Sequence, residues 1–260
     1  LRYISGIPEN AIEILKFDTI KLICKQLNTN VRRERFKPDF ALYVYQVISL
    51  FASLYDYLSD YKEICKYSLP LYMLDIVTIY NTNKGILAGA SKALSLLMLN
   101  NECVEVIEGE DLTPFFILMQ SDTPKIVSNT ALALANAVNI SDLIVDGVCE
   151  IPMPLGVSQL CEMLKIIEES NVALKLSILR ILSKASQLEN GMEVIQLYMN
   201  TIVPLLDTPL DDLDVWTDEE MIVANTLIIM KNAAIVDNER VAGYMKGRMN
   251  NLMYYGIIDY

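Results

Sequence analysis

The amino-acid sequence predicts an all-α chain. Apolar residues recur at helical spacing almost throughout, while strict alternation over a strand length is rare and no hairpin signal joins strand-like runs. Only 10 Gly and 9 Pro occur among 260 residues, which argues against loop-rich β architectures and collagen. Hydrophobic residues make up 53% of the chain, enough to bury a sizeable core.

The elements follow in chain order. Residues 1–39 read as N-terminal capping helices and a basic loop, in which Arg32, Arg33, Arg35 and Lys37 precede Pro38. Ala41–Leu54 carries a wide apolar stripe through Leu42, Val44, Val47, Ile48, Phe51 and Leu54. Leu69-Pro70-Leu71 opens another helix, with proline in the first turn, where its missing N–H is no loss. Ala90–Leu96 is a helix of small and apolar residues. Leu112–Met119 comes next, opened by Pro114; a polar turn, Gln120–Pro124, leads into the Ala-rich run Val127–Val138. Leu155–Leu164 and Val172–Leu188 are helical in period, Ile202–Leu206 is opened by Pro204, and Ile229–Ala234 closes the series. Residues 235–260 read as a C-terminal cap. Breaks fall at Asn28–Asn30, Asn81–Gly85, Gln120–Pro124, Ile151–Gly156 and Asp207–Asp218, leaving helices of roughly 8–18 residues.

These helices repeat. The stretch around Asp111–Val138 resembles the armadillo repeat: Gly109, Leu112, Pro114, Leu118, Ala133, Leu134, Asn136 and Val138 fill that family's pattern of Gly, apolar residue, helix-opening Pro, leucines and a third helix with Ala-Leu-x-Asn. The matched leucine position of the third helix falls at Ile48, Leu94, Leu134, Leu182 and Met230, giving spacings of 46, 40, 48 and 48 residues. Armadillo and HEAT units span roughly 40–47 residues. The resemblance implies a right-handed armadillo/HEAT-like α-solenoid of about four to five three-helix repeats, covering 40–234 as one domain with its caps. Independently of the name, one triplet cannot bury its own stripe, so successive repeats must stack. The small residues Ala90, Ala93, Ala131, Ala133, Ala135 and Ala137 allow close helix approach.

Composition narrows function. Histidine is absent, so no Ser-His-Asp or Cys-His nucleophile, imidazole base or His-ligated metal can be built. No glycine-rich phosphate loop, nucleophile elbow or kinase signature occurs. The net charge of −12 argues against nucleic acid and anionic membranes as partners. Five scattered cysteines without a Cys-x-x-Cys pair read as free thiols in a reducing compartment. No run is long and apolar enough to span a membrane. The expectation is a soluble cytoplasmic protein, with the cytoskeleton as the place of association if it is an assembly subunit. No enzyme activity, cofactor or metal is expected.

Two charged regions need a reading. The segment Asp207–Glu220 holds seven carboxylates and the single Trp, Trp216, but lacks the glycine of a calcium loop. It reads as a solvated loop ending in a helix start, capped by Thr217 with Asp218, Glu219 and Glu220 at the positive dipole end; a partner-binding loop is the alternative. Glu102, Glu105, Glu108, Glu110 and Asp111 read as a solvated outer face.

In armadillo proteins the third helices line a concave groove that holds an extended peptide, and the motif Asn contacts its backbone. By resemblance that Asn is Asn136 and Asn232, with Leu50, Leu96 and Lys184 in the equivalent places. One turn earlier stand Gln46, Lys92, Leu132, Arg180 and Ile228. The nuclear-import adaptors of the family carry Trp there, and this chain has none at those positions, which excludes that subtype. The expected partner-binding groove is therefore Lys92, Leu96, Leu132, Asn136, Arg180, Lys184, Ile228 and Asn232. Its three cations in an acidic chain favour an acidic segment. The function this implies is a protein-interaction scaffold or adaptor. The alternatives are a structural subunit of a large cytoskeletal or ciliary assembly, or a regulatory module of a larger protein. The latter draws on a chain that begins at Leu1.

Overall fold

Helices form here because apolar faces meet and their ends are satisfied locally. In the computed structural model, which describes residues 8–15, 18–31, 38–57, 62–168, 170–208 and 217–246, all regular structure is helical and no strand occurs among the described residues. The helices are α1 (Pro8–Leu15), α2 (Thr19–Val31), α3 (Pro38–Leu54), α4 (Lys62–Lys66), α5 (Leu69–Ile79), α6 (Lys84–Leu97), α7 (Asn101–Glu105), α8 (Thr113–Met119) and α9 (Pro124–Ile140). They continue with α10 (Asp142–Glu150), α11 (Gly156–Ile166), α12 (Val172–Ala185), α13 (Glu189–Gln196), α14 (Met199–Ile202), α15 (Asp218–Val236) and α16 (Asn238–Met245). The basic cluster Arg32, Arg33, Arg35 and Lys37, and the centre of the acidic loop with Trp216, lie outside the described residues.

The chain divides into two units, Leu1–Ile144 and Val145–Tyr260. In the first, α3, α6 and α9 pack successively in one row, and α2, α5 and α8 in another, with α5 on α6 and α8 on α9 joining the rows. Phe51, Phe115, Phe116, Met73 and Leu94 fill its core. Ala90, Ala93, Ala131, Ala133, Ala135 and Ala137 are all fully buried, so the Ala-rich runs do serve close packing. In the second unit α12 packs on α15, α11 packs on α12, α13 and α14, and α16 closes on α15. Its core is aliphatic, with Leu160, Ile178, Leu179, Ile181, Leu182 and Val223.

Helix starts carry their own signals. Pro70, Pro114 and Pro124 stand in the first turns of α5, α8 and α9. Pro204 opens a short 3₁₀ stretch, Val203–Asp207, rather than an α-helix. Asn83 and Asn171 cap α6 and α12, accepting from the N–H groups of Ile86 and Leu174 at 3.1 and 3.4 Å. Gly109, between α7 and α8, has φ +74°, a left-handed conformation that a side chain would strain. The expected break at Asn28–Asn30 does not occur: α2 runs on to Val31. Asparagine costs a helix only about 0.7 kcal/mol relative to alanine, so two of them do not stop one. Asn190-Gly191 and Asp146-Gly147, elsewhere hairpin dipeptides, lie inside α13 and α10. The short elements α4, α7 and α14, of five, five and four residues, fall below the expected length range.

Thr217 caps α15 as expected. Its hydroxyl accepts from the Glu220 N–H at 3.2 Å, while the Glu220 carboxylate accepts from the Thr217 N–H at 2.6 Å, a reciprocal capping box. Thr217→Ala is expected to cost about 1 kcal/mol, and Thr217→Ser almost nothing. Urea unfolding followed by circular dichroism checks this; equal midpoints for the alanine and serine variants would mean the box does not form.

Candidate functional site

The long helices α3, α6, α9, α12 and α15 each bury the residue at the matched position. Ile48, Leu94, Leu134 and Leu182 are fully buried and Met230 is 2% exposed. At about 100° per residue, the positions two before and two after a buried residue turn to the far side of the helix, one turn apart on a shared face. Those positions are the expected groove residues, and they do reach the surface of their own unit. Lys92 is exposed and Leu96 half-buried; Leu132 is 41% exposed and Asn136 half-buried. Arg180, Lys184 and Asn232 are half-buried, and Ile228 is 42% exposed.

The two units use these residues differently. In the second unit they tie α12 to α15. An Arg180 Nη2 group donates to the Met221 sulfur at 3.6 Å, and Asn232 Nδ2 donates to Ser186 Oγ at 2.8 Å. Between them, Ser183 Oγ donates to Asn225 Oδ1 at 2.9 Å. Lys184 stands in the last turn of α12, where a cation offsets the helix dipole. The Asn232 amide is thus engaged within the unit.

In the first unit the corresponding polar groups make no such ties among the described residues. Asn136 Nδ2 is shut off from solvent and has no acceptor among the described residues. A buried donor without a partner costs about 1–3 kcal/mol. Beside this face, α3, α6 and α9 enclose a cleft of about 310 Å³, lined by Tyr45 and Ser49 from α3, Gly89 and Lys92 from α6, and Lys125 and Asn129 from α9. Lys92 and Lys125 are exposed, and neither pairs with a described acid. Lys84, by contrast, holds Asp122 at 2.5 Å, and its hydrogen bond keeps that carboxyl below the usual carboxylate range. At Gly89, which lines the cleft, α6 approaches α3 closely: a Cβ there would lie 3.2 Å from Ile48 Cγ2.

Sequence reasoning placed Lys92, Leu96, Leu132 and Asn136 on one surface and missed Lys125 and Asn129. Their signal was present: 125, 129, 132 and 136 step by four, three and four residues along one face of α9.

Of the acidic residues expected on a solvated outer face, two make contacts within the fold. Glu108 accepts a hydrogen bond from Ser141 Oγ, and Asp111 Oδ1 accepts from the Thr113 N–H at 2.9 Å at the start of α8. Glu102, Glu105 and Glu110 are exposed. Among the described residues no group of three or more Cys, Asp or Glu is placed to hold a metal ion, and no helix is long and apolar enough to cross a membrane. Burial pushes the Cys149 and Cys161 thiols up to about 12, where thiolate is scarce at neutral pH.

No family model and no curated protein sequence matches this chain. Among solved structures it is similar to the crystal structure of an engineered protein from the Northeast Structural Genomics Consortium, with a TM-score of 0.58 at 13% identity, over 89% of this chain and 86% of that one. At such identity the likeness concerns the fold alone.

Proposed function

We propose that this chain is a protein-interaction module of armadillo-like repeats, and that the α3–α6–α9 face of its first unit holds an extended acidic segment of a partner protein. The repeat reading is supported by the recurring order of short, medium and long helix in α4–α5–α6 and α7–α8–α9, with Gly109 at the turn the family's pattern assigns to glycine. The binding reading is carried by one observation: among the described residues, a surface position holds an amide whose donor has no partner, next to a cleft whose two lysines pair with no acid. A peptide carbonyl laid along this face would satisfy Asn136 Nδ2. Lys92 and Lys125 would attract the carboxylates of such a segment out of a field that is otherwise negative, setting encounter rate and salt dependence. Leu96 and Leu132 would supply apolar burial.

The test is fluorescence anisotropy with extended peptides that alternate Leu with Asp/Glu, compared with Lys/Arg counterparts. The acidic peptides are expected to bind and to weaken with added salt. The double variant Lys92→Glu, Lys125→Glu is expected to weaken binding by at least tenfold with helicity unchanged, since each exposed pair contributes up to about 1 kcal/mol and reversal adds repulsion. Equal binding of acidic and basic peptides, or unchanged binding by the double variant, refutes the reading.

A further inference from the structure

Two thiols 38 residues apart in sequence meet within the first unit. Cys65 on α4 and Cys103 on α7 bring their sulfur atoms to 3.3 Å, close enough to share a hydrogen bond, and the two helices pack directly on each other. Cys103 is fully buried, whereas Cys65 is half-buried and so keeps part of its surface in contact with solvent. Burial, together with the contact to Cys65, holds the Cys103 thiol far above its ordinary value and therefore protonated. A disulfide bond is about 2.05 Å long, so closure requires just over an ångström of approach. Rotation of the Cys65 side chain, on the short helix α4, would supply that movement.

We propose that Cys65 and Cys103 form an oxidative modification site, at which hydrogen peroxide closes a reversible disulfide between α4 and α7. The Cys65 thiolate attacks one peroxide oxygen; the O–O bond breaks, the departing hydroxide takes a proton to become water, and Cys65 becomes a sulfenic acid. The Cys103 sulfur then attacks the sulfenic sulfur. The S–S bond forms as the S–O bond breaks, and the Cys103 proton leaves with the hydroxyl as a second water. Two thiols are oxidised to one disulfide while one peroxide is reduced to two waters. A dithiol reductant reverses the step by thiol–disulfide exchange. The product ties the first helices of two successive triplets and closes the chain around α5 and α6, which limits the unfolded state. This site is independent of the peptide-binding face.

The experiment treats the full chain with hydrogen peroxide, then alkylates it with iodoacetamide after denaturation. The expected result is a monomer that carries three carbamidomethyl groups and lacks two hydrogen atoms, with the Cys65 and Cys103 peptides joined and Cys24, Cys149 and Cys161 alkylated. Its melting temperature rises by several degrees and returns with dithiothreitol. In Cys103→Ser, Cys65 is expected to stop at the sulfenic acid and be trapped by dimedone; in Cys65→Ser, Cys103 is expected to remain a thiol. Alkylation of both cysteines in the treated parent chain, a bridge to any other cysteine, or a disulfide between two chains overturns the proposal. Mapping on the parent chain decides it even if a variant fails to fold.

Discussion

Replacing Gly191 with alanine is expected to destabilise the second unit by roughly 3 kcal/mol, a fall in melting temperature of roughly 10 °C. Gly191 is the third residue of α13 and is buried where that helix meets the end of α12. A Cβ there would lie 2.2 Å from the Ala185 carbonyl oxygen, 2.9 Å from the Ala185 carbonyl carbon and 2.9 Å from Cys149 Sγ. Two of these atoms are backbone and cannot rotate away, so α13 must shift as a body and unpack Met192 and Ile195, both core residues. Two other glycines isolate the cause. Gly109 has open space around its missing side chain but a φ of +74°, so Gly109→Ala should cost about 1 kcal/mol from backbone strain alone. Gly243 lies inside α16 with nothing within 4 Å, so Gly243→Ala should gain about 0.5–1 kcal/mol through helix propensity. Thermal and urea unfolding of the three variants should therefore give a large loss, a small loss and a gain. A Gly191→Ala protein that melts with the parent would mean α13 does not approach α12 so closely.

The register of the long helices was legible in the sequence because burial follows the helical period. Leu94, Leu134 and Leu182 could be matched through the repeat motif the sequence resembles, and their i±2 neighbours then had to face outward. The chain offered no comparable signal for α4 and α7, five residues each, because a helix so short shows barely more than one turn of any pattern. The cleft was half legible. Lys92 stood at a position the repeat pattern names, while Lys125 and Asn129 enter from the first turns of α9, before the motif begins. The meeting of Cys65 with Cys103 is a tertiary fact, set by the packing of α4 on α7, and no spacing rule announces it. Least legible of all was the difference between the two asparagines that the sequence motif matches. Asn232 finds Ser186 because α12 ends in a turn that presents that hydroxyl; Asn136 finds no acceptor among the described residues.

That difference gives the second large expectation. Asn136→Leu is expected to stabilise the free protein by about 1–2 kcal/mol, because leucine is of similar size and removes a buried donor that has no acceptor. Asn232→Leu is expected to lose about 1 kcal/mol, because it breaks the bond to Ser186 and leaves that hydroxyl without its donor. The same substitution at the two asparagines the sequence motif matches should thus move stability in opposite directions. Binding separates the two residues further. If Asn136 donates to the backbone of a bound segment, Asn136→Leu should weaken the acidic peptide by about tenfold, a hydrogen bond's worth of roughly 1.4 kcal/mol, while leaving its salt dependence intact. Reversal of Lys92 and Lys125 should instead change the salt dependence. A residue whose removal strengthens the fold and weakens the complex is one kept for its partner rather than for the core. Should Asn136→Leu destabilise the chain as Asn232→Leu does, the Asn136 amide is satisfied within the folded protein. The binding face would then rest on the two lysines alone.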